Sequence, residues 1–359
     1  MSQENSNLNS DLVQPQFKEV PYYDKLENSG VQCRLCEFRC ALKPEQSGVC
    51  RVRSNQAGRL LAHNWGVVSR ADIELSEQLN FYHFFPGVKV FSIGGYGQNF
   101  PTLGDHDQFD EVPNPPGRIL SVERLVRFAI EQRCRGIIFA YNEPTMWYEY
   151  LREACVSIKA NGMFCAIVSN GYISNEAFDG VGHYIDAMLL QLNAFNERTF
   201  LALTGQGQFQ KPLETATRFQ RRYKGHLEVS TKLVPGVNDS QTELTTIAAW
   251  ISRVIGENTA WHLSCALPDA EDADEVMLRA KEIGHINGLR YIYLPTFNQP
   301  APPPDTTFDP AAFNNTYCYN CQQLLIERSL HDARVVGLEG NHCSNCNTAP
   351  GIRTTIWKL

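Results

Sequence analysis

Eight of the twelve cysteines in this chain fall into two tight sets whose spacing is that of metal ligands. In the first, Cys318-x-x-Cys321 and Cys343-x-x-Cys346 are separated by 21 residues. Each Cys-x-x-Cys sits on a tight turn that aims two sulfurs at one point, and two such turns complete a tetrahedron. Asn320, Asn345 and Asn347 tolerate the left-handed backbone that such knuckles need. The spacing predicts bound zinc here. Four free thiols in one small module would be a chemical liability. In the second set, Cys33, Cys36, Cys40 and Cys50 lie among Arg34, Arg39, Arg51 and Arg53, whose charges offset thiolates. Zinc and an iron–sulfur cluster both take four cysteines, so spacing leaves both open, and a closed zinc site is favoured. Cys134, Cys155, Cys165 and Cys265 are isolated in apolar stretches and read as small core residues.

Apolar runs at 88–93, 136–141, 163–168, 185–192, 227–234, 261–264 and 289–293 predict strands. Helical patterns at 121–133, 145–161, 197–203, 211–224, 240–255 and 272–287 separate them. Ser121, Ser240 with Glu243, and Thr145 after Pro144 are helix-start signals. Strands apolar on both faces and separated by helices mean an α/β fold with a parallel sheet, working at the strand C-terminal ends. The expected order is a polar tail at 1–30, a cysteine knuckle at 31–60, the α/β body at 61–298, a Pro-rich linker at 299–310 and a zinc-ribbon-like module at 311–359. The ribbon's hairpin is expected from Leu324–Arg328 and Val335–Leu338.

A net charge of −7 and few basic residues near Cys318–Cys346 argue against a nucleic-acid grip. No run of 18 apolar residues offers a membrane span. The polar start has neither basic nor apolar signal regions, so a cytoplasmic chain with reduced thiols is expected. Gly95-Tyr96-Gly97 is not a dinucleotide loop, because Phe100 takes the third glycine's place and Pro101 spoils a following helix.

Longer motifs carry a family likeness. Cys33-Arg-Leu-Cys36-Glu-Phe-Arg-Cys40 through Cys50-Arg-Val-Arg53, Tyr141-Asn142-Glu143-Pro144 onward to Tyr150, Val168-Ser-Asn170-Gly171-Tyr172 and Leu233-Val-Pro-Gly-Val-Asn-Asp-Ser240 resemble the radical SAM enzymes of the AmmeMemoRadiSam system. Those are relatives of the pyruvate formate-lyase activating enzymes, and the likeness runs from about 31 to 352. It implies a partial (β/α)6 barrel, SAM at the strand C-termini, and a 4Fe–4S cluster on a Cys-x-x-x-Cys-x-x-Cys loop after the first barrel strand. It places Asn142, Glu143, Asn170 and Gly171 near the SAM amine and ribose. It points to Memo-type or AMMECR-type proteins as partners by analogy alone.

The chain departs from that pattern where the chemistry resides. Gln98, Thr102 and Asp105 stand at the three cysteine positions, and no cysteine lies between Cys50 and Cys134. Homolysis of SAM needs an electron from a low-potential cluster, and an amide, a hydroxyl and one carboxylate do not replace three thiolates. The family's Asp-Leu-Lys reads Gln191-Leu192-Asn193, and its Phe-His-Pro reads Ala266-Leu267-Pro268. A non-catalytic homologue that binds a partner or ligand is therefore expected, without the catalytic cluster and with at most weak SAM binding. The alternative is an enzyme using SAM without reductive cleavage, or with an atypical cluster. The acidic stretch Asp105, His106, Asp107, Asp110 and Glu111 reads as a solvated loop.

Overall fold

The computed structural model describes residues 16–101, 112, 118–205, 208–266, 273–295, 314–329 and 332–355. The chain divides into two compact units. The first comprises Met1–Ile73, Phe91–Ile167 and Tyr172–Tyr184, and the second Glu74–Val90, Val168–Gly171 and Ile185–Leu359.

The first unit opens with two small antiparallel sheets. Gln16–Glu19 and Arg53–Gln56 flank Arg59–Trp65, and Val31–Cys33 lies between Tyr23–Lys25 and Ala41–Leu42. The described part of the expected tail thus contains two strands, Gln16–Glu19 and Tyr23–Lys25, and buries Val20. Ala57 and Gly58 have φ of 52° and 84°, the left-handed pair of a two-residue hairpin turn. Strands β1 (Arg70–Leu75), β2 (Lys89–Gly94), β3 (Gly136–Phe139) and β4 (Phe164–Ser169) are neighbours in that order. β3 and β4 run parallel, with Gly136 opposite Phe164. Helices α1 (Val122–Glu131), α2 (Tyr148–Ala160) and α3 (Asn175–Asp179) accompany them. Ser121 caps α1 by accepting from the Arg124 N–H. Val122, Leu125, Val126 and Ala129 are its buried stripe, at the 3–4 spacing of one helix face.

In the second unit β5 (Ala187–Gln191), β6 (His226–Leu233), β7 (Trp261–Cys265) and β8 (Ile292–Tyr293) form a parallel run in chain order. Helices α4 (Glu197–Thr204), α5 (Gln210–Tyr223), α6 (Gln241–Trp250) and α7 (Ala273–Ile286) alternate with them. The chain is thus α/β with parallel strands, as the alternation of apolar runs and helical patterns requires. Every expected strand and helix is found, its ends within three residues of the expected ones, except that the helix expected at 240–255 is α-helical over Gln241–Trp250 and ends in a π-helical turn, Ile251–Ile255. β1 was not expected, because none of its six residues is fully buried and no apolar run marks it. Ser240 caps α6, but the Glu243 carboxylate does not turn back to complete a capping box. It accepts from the Phe195 backbone N–H and the Asn196 amide.

The second unit ends in a cysteine module. Thr316–Tyr317, Leu324–Arg328 and Ala333–Val335 form one antiparallel sheet, and Leu338–Glu339 pairs with His342–Cys343. The hairpin partner of Leu324–Arg328 is Ala333–Val335, earlier than expected.

Candidate metal centres and strand-end site

Among the described residues, the four sulfurs of Cys318, Cys321, Cys343 and Cys346 are the group gathered for a metal, all within 4.8 Å of one another. Cys318 and Cys346 are 3.5 Å apart and Cys321 and Cys343 3.6 Å. A zinc–sulfur bond of about 2.3 Å makes a tetrahedron edge of about 3.8 Å. The two knuckles are built alike. The Gln322 N–H donates to the Cys318 carbonyl and the Asn347 N–H to the Cys343 carbonyl, each at 2.9 Å. Gln322 and Asn347 have φ of 61° and 59°, so Gln322 takes the left-handed position for which Asn320 and Asn345 were candidates. The Thr348 hydroxyl, 3.2 Å from the sulfur, draws the Cys346 thiol down to about 5, while burial pushes Cys318 up to about 11.

Cys33, Cys36, Cys40 and Cys50 all line one cavity of about 10 Å³ with Arg53, Asn99 and Met146. They are not drawn to the close spacing of the C-terminal set. Burial pushes Cys33 up to about 11 and raises Cys36 and Cys40 as well. Of the four arginines expected to offset charge here, Arg53 is the buried one, at 1% exposure. It donates to the Met146 carbonyl at 2.6 Å and pairs with Glu149 at 2.7 Å. Arg34 and Arg39 instead make part-exposed pairs with Asp24 and Glu37.

The loop after β2 packs onto this cysteine knuckle. A Cβ at Gly97 (φ 108°) would lie 2.6 Å from Val52, so only glycine fits. Asn99 is buried and donates to the Tyr172 carbonyl at 3.4 Å. The Phe100 ring meets Tyr172 at 4.9 Å and Phe38 at 6.2 Å. The residues that frame the missing cysteines thus have packing duties of their own. Gln98 is half-buried in this loop, whereas Thr102, Asp105 and the acidic stretch 105–111 lie outside the described residues. Gln98 offers an amide where the resemblance implies a thiolate, and no cysteine lies between Cys50 and Cys134.

Asn142 and Glu143 stand together after β3, and both are spent on the fold. Asn142 Oδ1 accepts from the Gly95 N–H at 2.9 Å, and its amide reaches the Gly97 carbonyl at 3.4 Å. Glu143, 2% exposed, caps the Pro144–Trp147 turn by accepting from the Thr145 N–H at 3.1 Å and hydroxyl at 2.7 Å. Asn170 and Gly171 belong to the second unit. Asn170 is buried at 9% exposure. Gly171 has φ 71°, and a Cβ there would lie 2.9 Å from Leu190. Its carbonyl accepts from Thr215 at 2.7 Å. Asn193, in place of the family's lysine, accepts from the Lys232 N–H at 2.8 Å, while Gln191 is exposed. Ala266 donates its N–H to Leu233, and Leu267 and Pro268 lie outside the described residues. Cys155 and Cys165 are buried, as expected, but lie in contact at 2.8 Å rather than singly.

One buried cluster escaped the sequence. Glu228 on β6 is fully buried and accepts from the Tyr82 and His83 N–H groups, each at 3.0 Å, from His226 at 3.1 Å and from His262 at 2.8 Å. Burial alone would raise its pKa, but the two imidazoles hold it well below the carboxylate range. Burial drives His83 down to about 3 and lowers His226. Both histidines must therefore fold neutral, and their stabilisation is present above about pH 6.5 and lost as pH falls toward 3. Glu77, raised by burial, acts in the opposite direction. Stability should fall with acidification by up to ~1.4 kcal/mol per pH unit for each net proton. Urea midpoints at pH 7, 6 and 5 check this. The fall should be about one proton shallower in His83→Gln, and equal slopes would show that His83 is not responsible.

Comparison with known proteins assigns the class. Residues 105–246 match the radical SAM superfamily. The chain is 30% identical over 344 residues to an uncharacterized protein of Methanocaldococcus jannaschii, covering 92% of this chain and 98% of that one. Its fold is similar to a domain of a pyruvate-formate lyase-activating enzyme from Bacteroides vulgatus (16% identity, TM-score 0.39, 44% of this chain and 98% of that one). It is also similar to a radical SAM methyltransferase from Sphaerobacter thermophilus (15% identity, TM-score 0.43, 58% and 66%). The chain belongs to the radical SAM superfamily. That family implies SAM and an iron–sulfur cluster, and its partial-barrel fold class is the α/β arrangement described above. The match begins at Asp105, so Gln98 and Thr102 precede it. No helix among the described residues is long and apolar enough to cross a membrane.

Proposed function

We propose that this chain is a non-catalytic radical SAM homologue, a metal-stapled cytoplasmic scaffold that binds a partner or small ligand. The observation that carries this is the use of Asn142 and Glu143 as loop clamp and helix cap beside a loop with Gln98 in a thiolate's place. Acceptor sites spent on the Gly95 and Thr145 donors leave fewer for a SAM amine. The C-terminal quartet is proposed to hold zinc, as its sulfur spacing supports. Zinc is also proposed at Cys33, Cys36, Cys40 and Cys50. A cavity of about 10 Å³ is ion-sized, near the least that holds one water, and a four-iron cubane is far larger. The module order expected from the sequence, with ribbon and knuckle flanking the barrel, belongs to the same proposal.

A calorimetric titration with SAM tests the scaffold role. Wild type should show no binding tighter than ~10 µM, equivalent to about −7 kcal/mol. Glu143→Gln should show no change in heat but lose ~1–3 kcal/mol of stability, because its cap bonds are buried. Submicromolar binding in wild type that disappears in the variant at unchanged stability would establish a nucleotide site instead.

A further inference from the structure

The second unit carries a cleft of about 310 Å³ where α7 and β8 meet the cysteine module, a volume at the small end of the range for small-molecule sites. Its lining includes Lys281, His285, Arg290, Tyr291, Tyr317 and Tyr319, and no carboxylate among the described residues. Tyr317 and Tyr319 expose their rings at 43% and 36%. The Arg290 guanidinium lies 3.8 Å over the Tyr319 ring and is held by Glu257 at 2.7 Å and Asn258 at 2.8 Å. His285 Nδ1 donates to the Leu289 carbonyl at 3.0 Å. Tyr291 is 4% exposed.

We propose that this cleft binds a nucleoside monophosphate, or a ligand of the same chemistry, a planar heteroaromatic ring joined to an anion. The exposed tyrosine faces and the stacked guanidinium give the ring a surface that every base satisfies. Lys281 meets the anionic end, with no carboxylate in the lining to repel it. The site is independent of the strand-end residues weighed above.

AMP, adenosine and inorganic phosphate titrated separately into the full-length, zinc-loaded protein test this. AMP should bind, with adenosine and phosphate each about tenfold weaker or more, since each lacks one half of the recognition. Lys281→Ala should weaken AMP about tenfold, with zinc content and thermal midpoint unchanged. Lys281→Gln serves if the alanine variant does not fold. Absence of AMP binding at millimolar concentration would overturn the proposal. So would affinity unchanged in the Lys281 variant, which would place the nucleotide elsewhere.

Discussion

Replacement of Cys343 by alanine should release one zinc ion per chain and collapse the C-terminal module. The buried centre of that module consists of Cys318, Leu325, Ile326, Cys343 and Ile352, so two of its five residues are themselves proposed ligands. A core that small does not hold a fold unaided, and a structural metal supplies what is missing. Structural zinc couples binding to folding with apparent free energies on the order of 10 kcal/mol, the largest single effect expected in this chain. Limited proteolysis should cut within 314–355 while α1 and α2 stay protected. Full zinc retention with an unchanged digestion pattern would show that the four sulfurs form no site.

Arg328→Ala should cost ~3–5 kcal/mol, the penalty for stranding a buried charge. Arg328 and Glu77 are both fully buried, with Nε and Oε1 3.6 Å apart. The guanidinium donates to the Asn314 carbonyl and Thr316 hydroxyl at 2.7 Å and to the Tyr82 carbonyl at 2.6 Å. It also lies 4.2 Å over the Tyr82 ring. Removing it leaves Glu77 with the Gly87 N–H and the Ser76 hydroxyl and no neutralising charge from Arg328. Because both charges are desolvated, Arg328→Met with Glu77→Gln should recover much of the loss. Denaturant midpoints of the two singles and the double close that cycle. Additive losses would show that the pair is not coupled.

The difference between what was legible in the sequence and what was not follows from locality. The strands and helices were legible because each is marked by its own run of residues, as at Gly136–Phe139 and Val122–Glu131. β1 was not, since its alternating, half-exposed residues look like loop. The C-terminal quartet was legible because each knuckle is closed by a bond four residues long. The Glu228 cluster was hidden because Tyr82, His83 and His262 come from distant stretches. Only His226 and Glu228, two apart on one buried face of β6, gave a local sign of it. Arg53 was visible as a basic residue near thiols, but its burial against Glu149 depends on a contact 96 residues away. The absence of cysteine at Gln98, Thr102 and Asp105 was legible, and the packing of this loop on Val52, Phe38 and Tyr172 was not.

The central claim is that Gln98 and its neighbours no longer hold a catalytic cluster. Its most direct test is anaerobic reconstitution of a Cys33→Ala/Cys36→Ala variant with iron and sulfide, followed by reduction in the presence of SAM. That variant removes the N-terminal thiols that would otherwise take up iron. The predicted result is no cluster EPR signal perturbed by SAM and no 5′-deoxyadenosine. A SAM-sensitive 4Fe–4S signal, or 5′-deoxyadenosine formed in step with the iron bound, would contradict it.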